Sequence, residues 1–267
     1  MMCILIRVNV LEKLFYFDSD PQDKNKKPTI VFLHGFFMSH MMFKHQIEAL
    51  SNHYRVICPD FRCFGKSNQC DNSFTLDDLV NDIVDILKNN GISEYYVVGM
   101  SMGGYIAQRL SILSSPKVKG MVLISTQSNK DNPEIIQHYK ELVKNWHFYQ
   151  SRCEVIEYLL KVFFGDNVVI SDEWRDIWLS YDAQDISLAM QAMIEREDFC
   201  HKLSKIQCPV AIIHGDSDDG IPLDAAYKLE KLINDATLHV IENGKHGICL
   251  THHEEINKII LNFLRSN

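Results

Sequence analysis

Short apolar runs alternate along this chain with longer segments whose apolar residues recur three and four positions apart. The runs Thr29–Leu33, 54–58, 95–98 and Val118–Ile124 are rich in β-branched and aromatic side chains and bounded by turn residues. They are too short for helices and read as buried strands. Between them, 41–50, 75–90 and 102–113 read as helices; from Asp77 to Leu87 the apolar positions 79, 80, 83, 84, 86 and 87 form one stripe. Strands alternating with helices predict βαβ units and a mostly parallel sheet covered on both faces. Ahead of this pattern, 4–10 and 14–17 read as two strands making an antiparallel start, and 18–28 is a polar turn. The rhythm breaks over 130–200, where several helices rich in aromatics are expected, among them Trp146, Phe148, Tyr149, Tyr158, Phe163, Phe164, Trp174, Trp178 and Tyr181. It resumes with a strand at 210–213, a helix at 222–234, a strand at 237–241 and a closing helix from about 253. The expected organisation is one α/β core domain, 1–129 and 201–267, carrying a helical insertion at 130–200. Most of the insertion's aromatics are expected to pack it onto the core, and a few to line a pocket between the two.

Bulk properties narrow the functional classes. A chain of 267 residues, 46% hydrophobic and 23% charged, has the make-up of a soluble globular protein with a substantial core. No apolar run approaches the roughly 20 residues of a membrane span. Residues 1–6 are apolar but lack a basic flank and a small-residue cleavage site, so no signal peptide is expected. Eight cysteines with no C-x-x-C pair fit free thiols in a reducing, cytoplasmic compartment. Cys58, Cys63 and Cys70 are near one another, but their spacing matches none of the usual zinc patterns, and neither metal nor cofactor is expected. A net charge of −8 without any Lys/Arg cluster argues against nucleic acid as a partner.

The candidate chemistry begins at Gly99-Met100-Ser101-Met102-Gly103, where a predicted strand meets a predicted helix. A serine on so sharp a turn needs neighbours without Cβ atoms, and the helix after it points free N–H groups at its oxygen. A serine hydroxyl becomes a useful nucleophile only when a base takes its proton and a carboxylate orients that base. The base candidate is His246, in the loop Glu242-Asn243-Gly244-Lys245-His246-Gly247 just past a strand end. His252 and His253 fall where the last helix begins and read as surface. The acid comes from Asp216, Asp218 or Asp219 after the 210–213 strand, with Gly215 three residues earlier favouring Asp218. Strand 118–124 ends in Ser125-Thr126 and offers no carboxylate. Two backbone N–H groups, from Met102 and Phe36, are the candidate oxyanion donors, Phe36 lying in the loop His34-Gly35-Phe36-Phe37. His34 is expected to brace that loop.

Five ordered motifs then carry a resemblance: His34-Gly35-Phe36, Asp60 to Ser67, Gly99 to Gly104, Gly215 to Asp218 with Pro222, and Gly244-Lys245-His246. Together they resemble the α/β-hydrolase superfamily, and within it the small esterase, enol-lactonase and cofactor-free haloperoxidase group. The resemblance runs from about residue 29 onward. It implies a twisted, mostly parallel sheet flanked by helices, with 130–200 as a cap between strands six and seven of that fold. Two positions depart from the group's pattern: Cys63 replaces a glycine of a structural turn, and Lys245 precedes the histidine where glycine is usual.

The insertion carries seven Lys/Arg against fourteen Asp/Glu, so nearly all of the chain's net charge. A negative cover over an entrance would slow anionic substrates, including acyl-carrier-protein or coenzyme A thioesters. The expected activity is hydrolysis of a small, neutral or apolar carboxylic ester through an acyl-enzyme. A lactonase, a carbon–carbon bond hydrolase or a perhydrolase could use the same residues. From another class, a ligand-sensing relative with little turnover would keep the pocket and lose the chemistry.

Overall fold

The computed structural model describes residues 14–23, 26–67, 70, 72–115 and 117–267. Among the described residues seven strands form one sheet: β1 (Tyr16–Asp18), β2 (Thr29–Leu33), β3 (Arg55–Pro59), β4 (Tyr95–Met100), β5 (Val118–Ile124), β6 (Val210–Gly215) and β7 (Ala236–Ile241). Their spatial order is β1-β3-β2-β4-β5-β6-β7, with β1 antiparallel to β3 and every other pair parallel. β2 and β3 are buried at every position. Continuous burial is what a strand covered by helices on both faces requires, and it explains why these runs do not alternate polar with apolar. The strand expected at 4–10 lies outside the described residues. The one expected at 14–17 forms as β1, two residues later.

The helices are α1 (Lys44–Leu50), α2 (Leu76–Asn89), α3 (Met102–Leu113), α4 (Pro133–Trp146), α5 (Tyr149–Phe164), α6 (Val168–Leu179), α7 (Ala183–Ile194), α8 (Asp224–Leu232), α9 (Ile248–Thr251) and α10 (His253–Ser266). Chain direction across the sheet reverses after β3, and right-handed crossovers therefore send α1 to one face and α2, α3 and α8 to the other. α10 packs beside α1, and α2 beside α3. The stripe on α2 is buried through Leu76, Leu79, Val80, Ile83, Ile86 and Leu87, and Thr75 starts the helix with a reciprocal capping box to Asp78.

The helical excursion α4–α7 leaves the sheet after β5 and returns at β6. Among the described strands the excursion lies between the fifth and the sixth. Trp146, Trp174 and Trp178 are among the largest fully buried side chains, and Phe163, Phe164 and Tyr181 are buried with them. Phe148, Tyr149 and Tyr158 instead face solvent, so not every aromatic of this stretch packs inward. One core cluster spans sheet, flanking helices and excursion. Among the described residues no helix is long and apolar enough to cross a membrane.

Candidate active site

The reversal of strand order falls between β2 and β4, and the crevice of an open parallel sheet lies at the carboxyl ends of the strands at such a point. Gly35 and Phe36 come after β2; Ser101 comes after β4. Ser101 sits at φ 50°, ψ −115° immediately before α3, a conformation a side chain rarely adopts. The glycines make this turn possible by close approach: a Cβ on Gly99 would lie 2.4 Å from the Gly103 carbonyl oxygen, and one on Gly103 only 2.0 Å from that of Leu33. The turn is braced from β5 and beyond. The Ser101 N–H donates to the Ile124 carbonyl at 2.9 Å, and the Thr126 hydroxyl donates to the Ser101 carbonyl at 2.7 Å.

Three side chains from distant parts of the chain meet here, all of them buried. His246 Nε2 is 3.1 Å from Ser101 Oγ, while His246 Nδ1 lies 3.0 and 2.9 Å from the two oxygens of Asp218. Asp218 Oδ1 also accepts from the N–H groups of Gly220 and Ile221 at 2.8 and 2.9 Å. Burial by itself would raise the Asp218 pKa. The charge of His246 and its hydrogen bond, with the Ile221 N–H and the nearby His214, outweigh burial and leave the carboxyl below its ordinary value. The other two acid candidates are elsewhere: Asp216 is exposed and bonded by the Ser217 hydroxyl, and Asp219 pairs with Lys245 at 2.7 Å on the surface. Lys245, one of the two departures, thus has a surface partner next to the histidine. His252 and His253 stay half-exposed, His253 stacking on His45.

The loop after β2 lies against the serine. A Cβ on Gly35 would fall 2.7 Å from Met100 Sδ and 3.4 Å from Ser101 Cβ. Met102 is the first residue of α3, where a helix leaves its N–H without an intrahelical partner. Phe36 is buried, its ring edge-on to Phe37 and Phe64. His34 braces the region: its Nδ1 lies 2.7 Å from the Gly35 carbonyl, and its Nε2 accepts from the Phe61 N–H at 2.9 Å. Complete burial lowers its pKa to about 4 against the partial compensation of Asp60 and Gly35.

Other contacts at the site are invisible in the sequence. The excursion reaches both loops: the Trp178 indole donates to the Phe37 carbonyl at 2.8 Å, and the Gly247 N–H donates to the Phe163 carbonyl at 2.8 Å. Phe163 stands edge-on to the His246 ring, centroids 4.9 Å apart. His214 is buried 3.6 Å from Asp218 and bonded to the Ile221 carbonyl at 2.8 Å. The Asp60 to Ser67 motif is a bracing knot, with Asp60 accepting from the N–H groups of His40 and Lys66. A Cβ on Gly65 would overlap that carboxylate, 2.4 Å from Oδ2.

Residues 28–253 match the family described as alpha/beta hydrolase fold. The chain belongs to that family. Among its relatives is a bifunctional esterase/perhydrolase of Acinetobacter calcoaceticus, 28% identical, with 95% of this chain and 96% of the relative covered. A 2-hydroxy-6-oxo-6-(2'-aminophenyl)hexa-2,4-dienoic acid hydrolase of Metapseudomonas resinovorans is 26% identical over 83% of this chain and 78% of its own length. Among solved structures, an esterase from Thermogutta terrifontis superposes with a TM-score of 0.86 at 23% identity, covering 95% of this chain and 93% of the esterase. Family and relatives together support hydrolase chemistry in an α/β-hydrolase fold, in the group that the sequence motifs resemble.

Proposed function

We propose that this protein is a serine carboxylesterase acting through an acyl-enzyme, with Ser101 as nucleophile, His246 as base and Asp218 as the acid that orients it. The observation that carries the reading is one buried line of contacts, from Ser101 Oγ through the two nitrogens of His246 to Asp218. In this scheme His246 Nε2 takes the hydroxyl proton as Ser101 Oγ bonds to the substrate carbonyl carbon. The carbonyl oxygen gains the negative charge, and the N–H groups of Phe36 and Met102 hold it. His246 returns the proton to the leaving alcohol as the carbon–oxygen bond breaks, then activates water to release the acid. Asp218 stays ionised and stabilises the imidazolium. No cofactor enters the scheme.

In the same reading, 130–200 acts as a cap on the core 1–129 and 201–267, and its aromatics wall the acyl site together with Phe36. The contacts of Trp178 with Phe37 and of Phe163 with His246 support a cap seated over the chemistry. The substrate class is a small, neutral or apolar acyl ester. A carboxylic acid is the substrate in the name of the Metapseudomonas relative. The acidic excess of 130–200 favours uncharged esters for this chain. The name of the Acinetobacter relative favours a second reading, in which hydrogen peroxide replaces water and the acyl-enzyme yields a peracid.

The test is release of p-nitrophenol from acetate, butyrate, octanoate and laurate esters, with Ser101→Ala beside the natural protein. Turnover abolished in Ser101→Ala supports the proposal, and the chain-length optimum sizes the pocket. A folded protein that labels covalently with a fluorophosphonate but turns over no ester overturns the ester assignment and directs the search to lactones and carbon–carbon bonds.

A further inference from the structure

Away from Ser101, the turn after β3 brings together residues that the proposed chemistry does not use. The sulfurs of Cys63 and Cys70 and a carboxylate oxygen of Asp185 all lie within 4.8 Å of one another. Cys63 and Asp185 are buried, and Cys70 is half-buried. Cys63 and Cys70 follow β3 in the core, whereas Asp185 stands in the first turn of α7, over a hundred residues on in the helical excursion. The Cys70 N–H donates to the Asp185 carboxylate at 3.2 Å, which already fixes the loop to that helix.

The backbone at Cys63 has a left-handed φ of 72°. This is the position where the family's turn motif carries glycine, which adopts such a φ without strain; a side chain there costs about 1–2 kcal/mol. Such strain persists only where the surrounding structure holds it in place, and it concentrates at functional sites. Here the side chain aims a sulfur at a second sulfur and a buried carboxylate. Three groups that become anions on deprotonation are gathered where burial disfavours charge. The Cys63 thiol is pushed well up, first by its hydrogen bond with Cys70 and then by burial and the negative neighbours Cys70 and Asp185. The same hydrogen bond pulls the Cys70 thiol down. The Arg62 guanidinium, whose charge also acts on Cys70, is engaged by both oxygens of Asp82 at 2.7 Å.

We propose that Cys63, Cys70 and Asp185 are three ligands of a site for one soft divalent cation of the zinc class, joining the chain after β3 to α7. Two thiolates and one carboxylate suit a tetrahedral ion, with water from the half-exposed Cys70 side as the fourth ligand. With metal–sulfur bonds of about 2.3 Å and metal–oxygen bonds of about 2.1 Å, a tetrahedral ion needs S···S of about 3.8 Å and S···O of about 3.5 Å, so the cluster has to contract by no more than about 1.3 Å. Binding displaces the remaining thiol protons to solvent and moves no electrons. The site sits close to the proposed acyl pocket, because Phe64, next to Cys63 in the chain, packs edge-on against both Phe36 and Tyr181. The spacing of the cysteines hides it: Cys58 takes no part, and the third ligand is distant in sequence.

The reduced, chelator-treated full chain is titrated with Co2+ and then Zn2+. The expected result is one Co2+ per chain with a thiolate-to-cobalt charge-transfer band, displaced by Zn2+, and a melting temperature that rises with Zn2+. Cys70→Ser and Asp185→Asn each weaken binding by at least about tenfold. Cys63→Gly does the same while relieving the left-handed strain, so its fold survives loss of the site. The proposal is overturned if the charge-transfer band never forms, or if it persists in the Cys63→Gly/Cys70→Ser double variant. It is equally overturned if the protein binds no Zn2+ and mass spectrometry finds that peroxide simply joins Cys63 to Cys70 as a disulfide.

Discussion

Ser101 and the residues around it show how little chemistry is local. The strained turn is encoded within five residues, and Gly99 and Gly103 are needed there because any Cβ would enter backbone atoms. In the proposed mechanism, what the serine can do depends on His246 and Asp218. If the proposed roles hold, Ser101→Ala lowers kcat by at least about 10³-fold with the fold retained, and Asp218→Asn by about 10⁴-fold through loss of the correct histidine tautomer. Ester turnover with far-ultraviolet circular dichroism as the fold check reads both. His34 makes a different prediction, about stability. Its folded pKa of about 4 lies below the ordinary 6.5, so between those values the unfolded chain binds the proton and the folded one does not. Stability is therefore complete above pH 6.5 and falls as pH drops toward 4, by on the order of 3 kcal/mol from this group. The depressed Asp218 and His214 act in the same direction on acidification. Urea unfolding at stepped pH values measures the slope, and His34→Asn is expected to flatten it.

Elements position these residues through contacts between sheet, loops and excursion. Trp178 of α6 is fully buried, bonds the loop after β2, and stacks on Phe164 of α5. Trp178→Ala is expected to cost about 3–5 kcal/mol in denaturant unfolding, with ester KM rising as the proposed wall loosens. Gly103→Ala makes the opposite error, adding an atom 2.0 Å from the Leu33 carbonyl where α3 meets β2. It is expected to abolish soluble expression or lower the melting temperature by about 10 °C or more, roughly the effect of several kcal/mol in a chain of this size. Most helices are legible from their apolar periodicity, and most strands from short, continuously apolar runs bounded by turn residues. The packing of α4–α7 is not legible: Tyr149 and Tyr158 of α5 are aromatic like their buried neighbours, and only the direction of the helix face separates them.

Over the whole molecule, charge is uneven in sequence. Part of the acidic excess of 130–200 is matched from outside the segment, since Lys44 pairs with Glu173; Arg175 with Glu157 and Asp172, and Arg196 with Asp131, pair within it and leave the excess unchanged. The remainder carries a long-range field. If it covers the entrance, kcat/KM for an ester bearing a carboxylate is expected to trail that for its neutral isostere at low salt. The gap should close severalfold as ionic strength rises from about 0.01 to about 0.5 M, because the Debye length shrinks from about 30 Å to a few ångströms. A salt-independent ratio would show that this charge lies away from the substrate's path.

The alternation of strands and helices, the strained serine turn, and the loops that bear His246 and Asp218 are all written in the sequence. Each of these is a local matter of spacing, of backbone that only glycine permits, and of which residues stand just past a strand end. Gly215 favours Asp218 among the three neighbouring aspartates in the sequence, and three-dimensional packing brings that one to the histidine. Asp216, Asp218 and Asp219 are chemically equal until hydrogen bonds from Gly220 and Ile221 turn one of them inward. Packing also brings Phe163 and Trp178 to the site, and Asp185 to Cys63 and Cys70. Those are contacts between segments far apart in the chain, made when apolar faces bury one another, and no spacing along the chain records them.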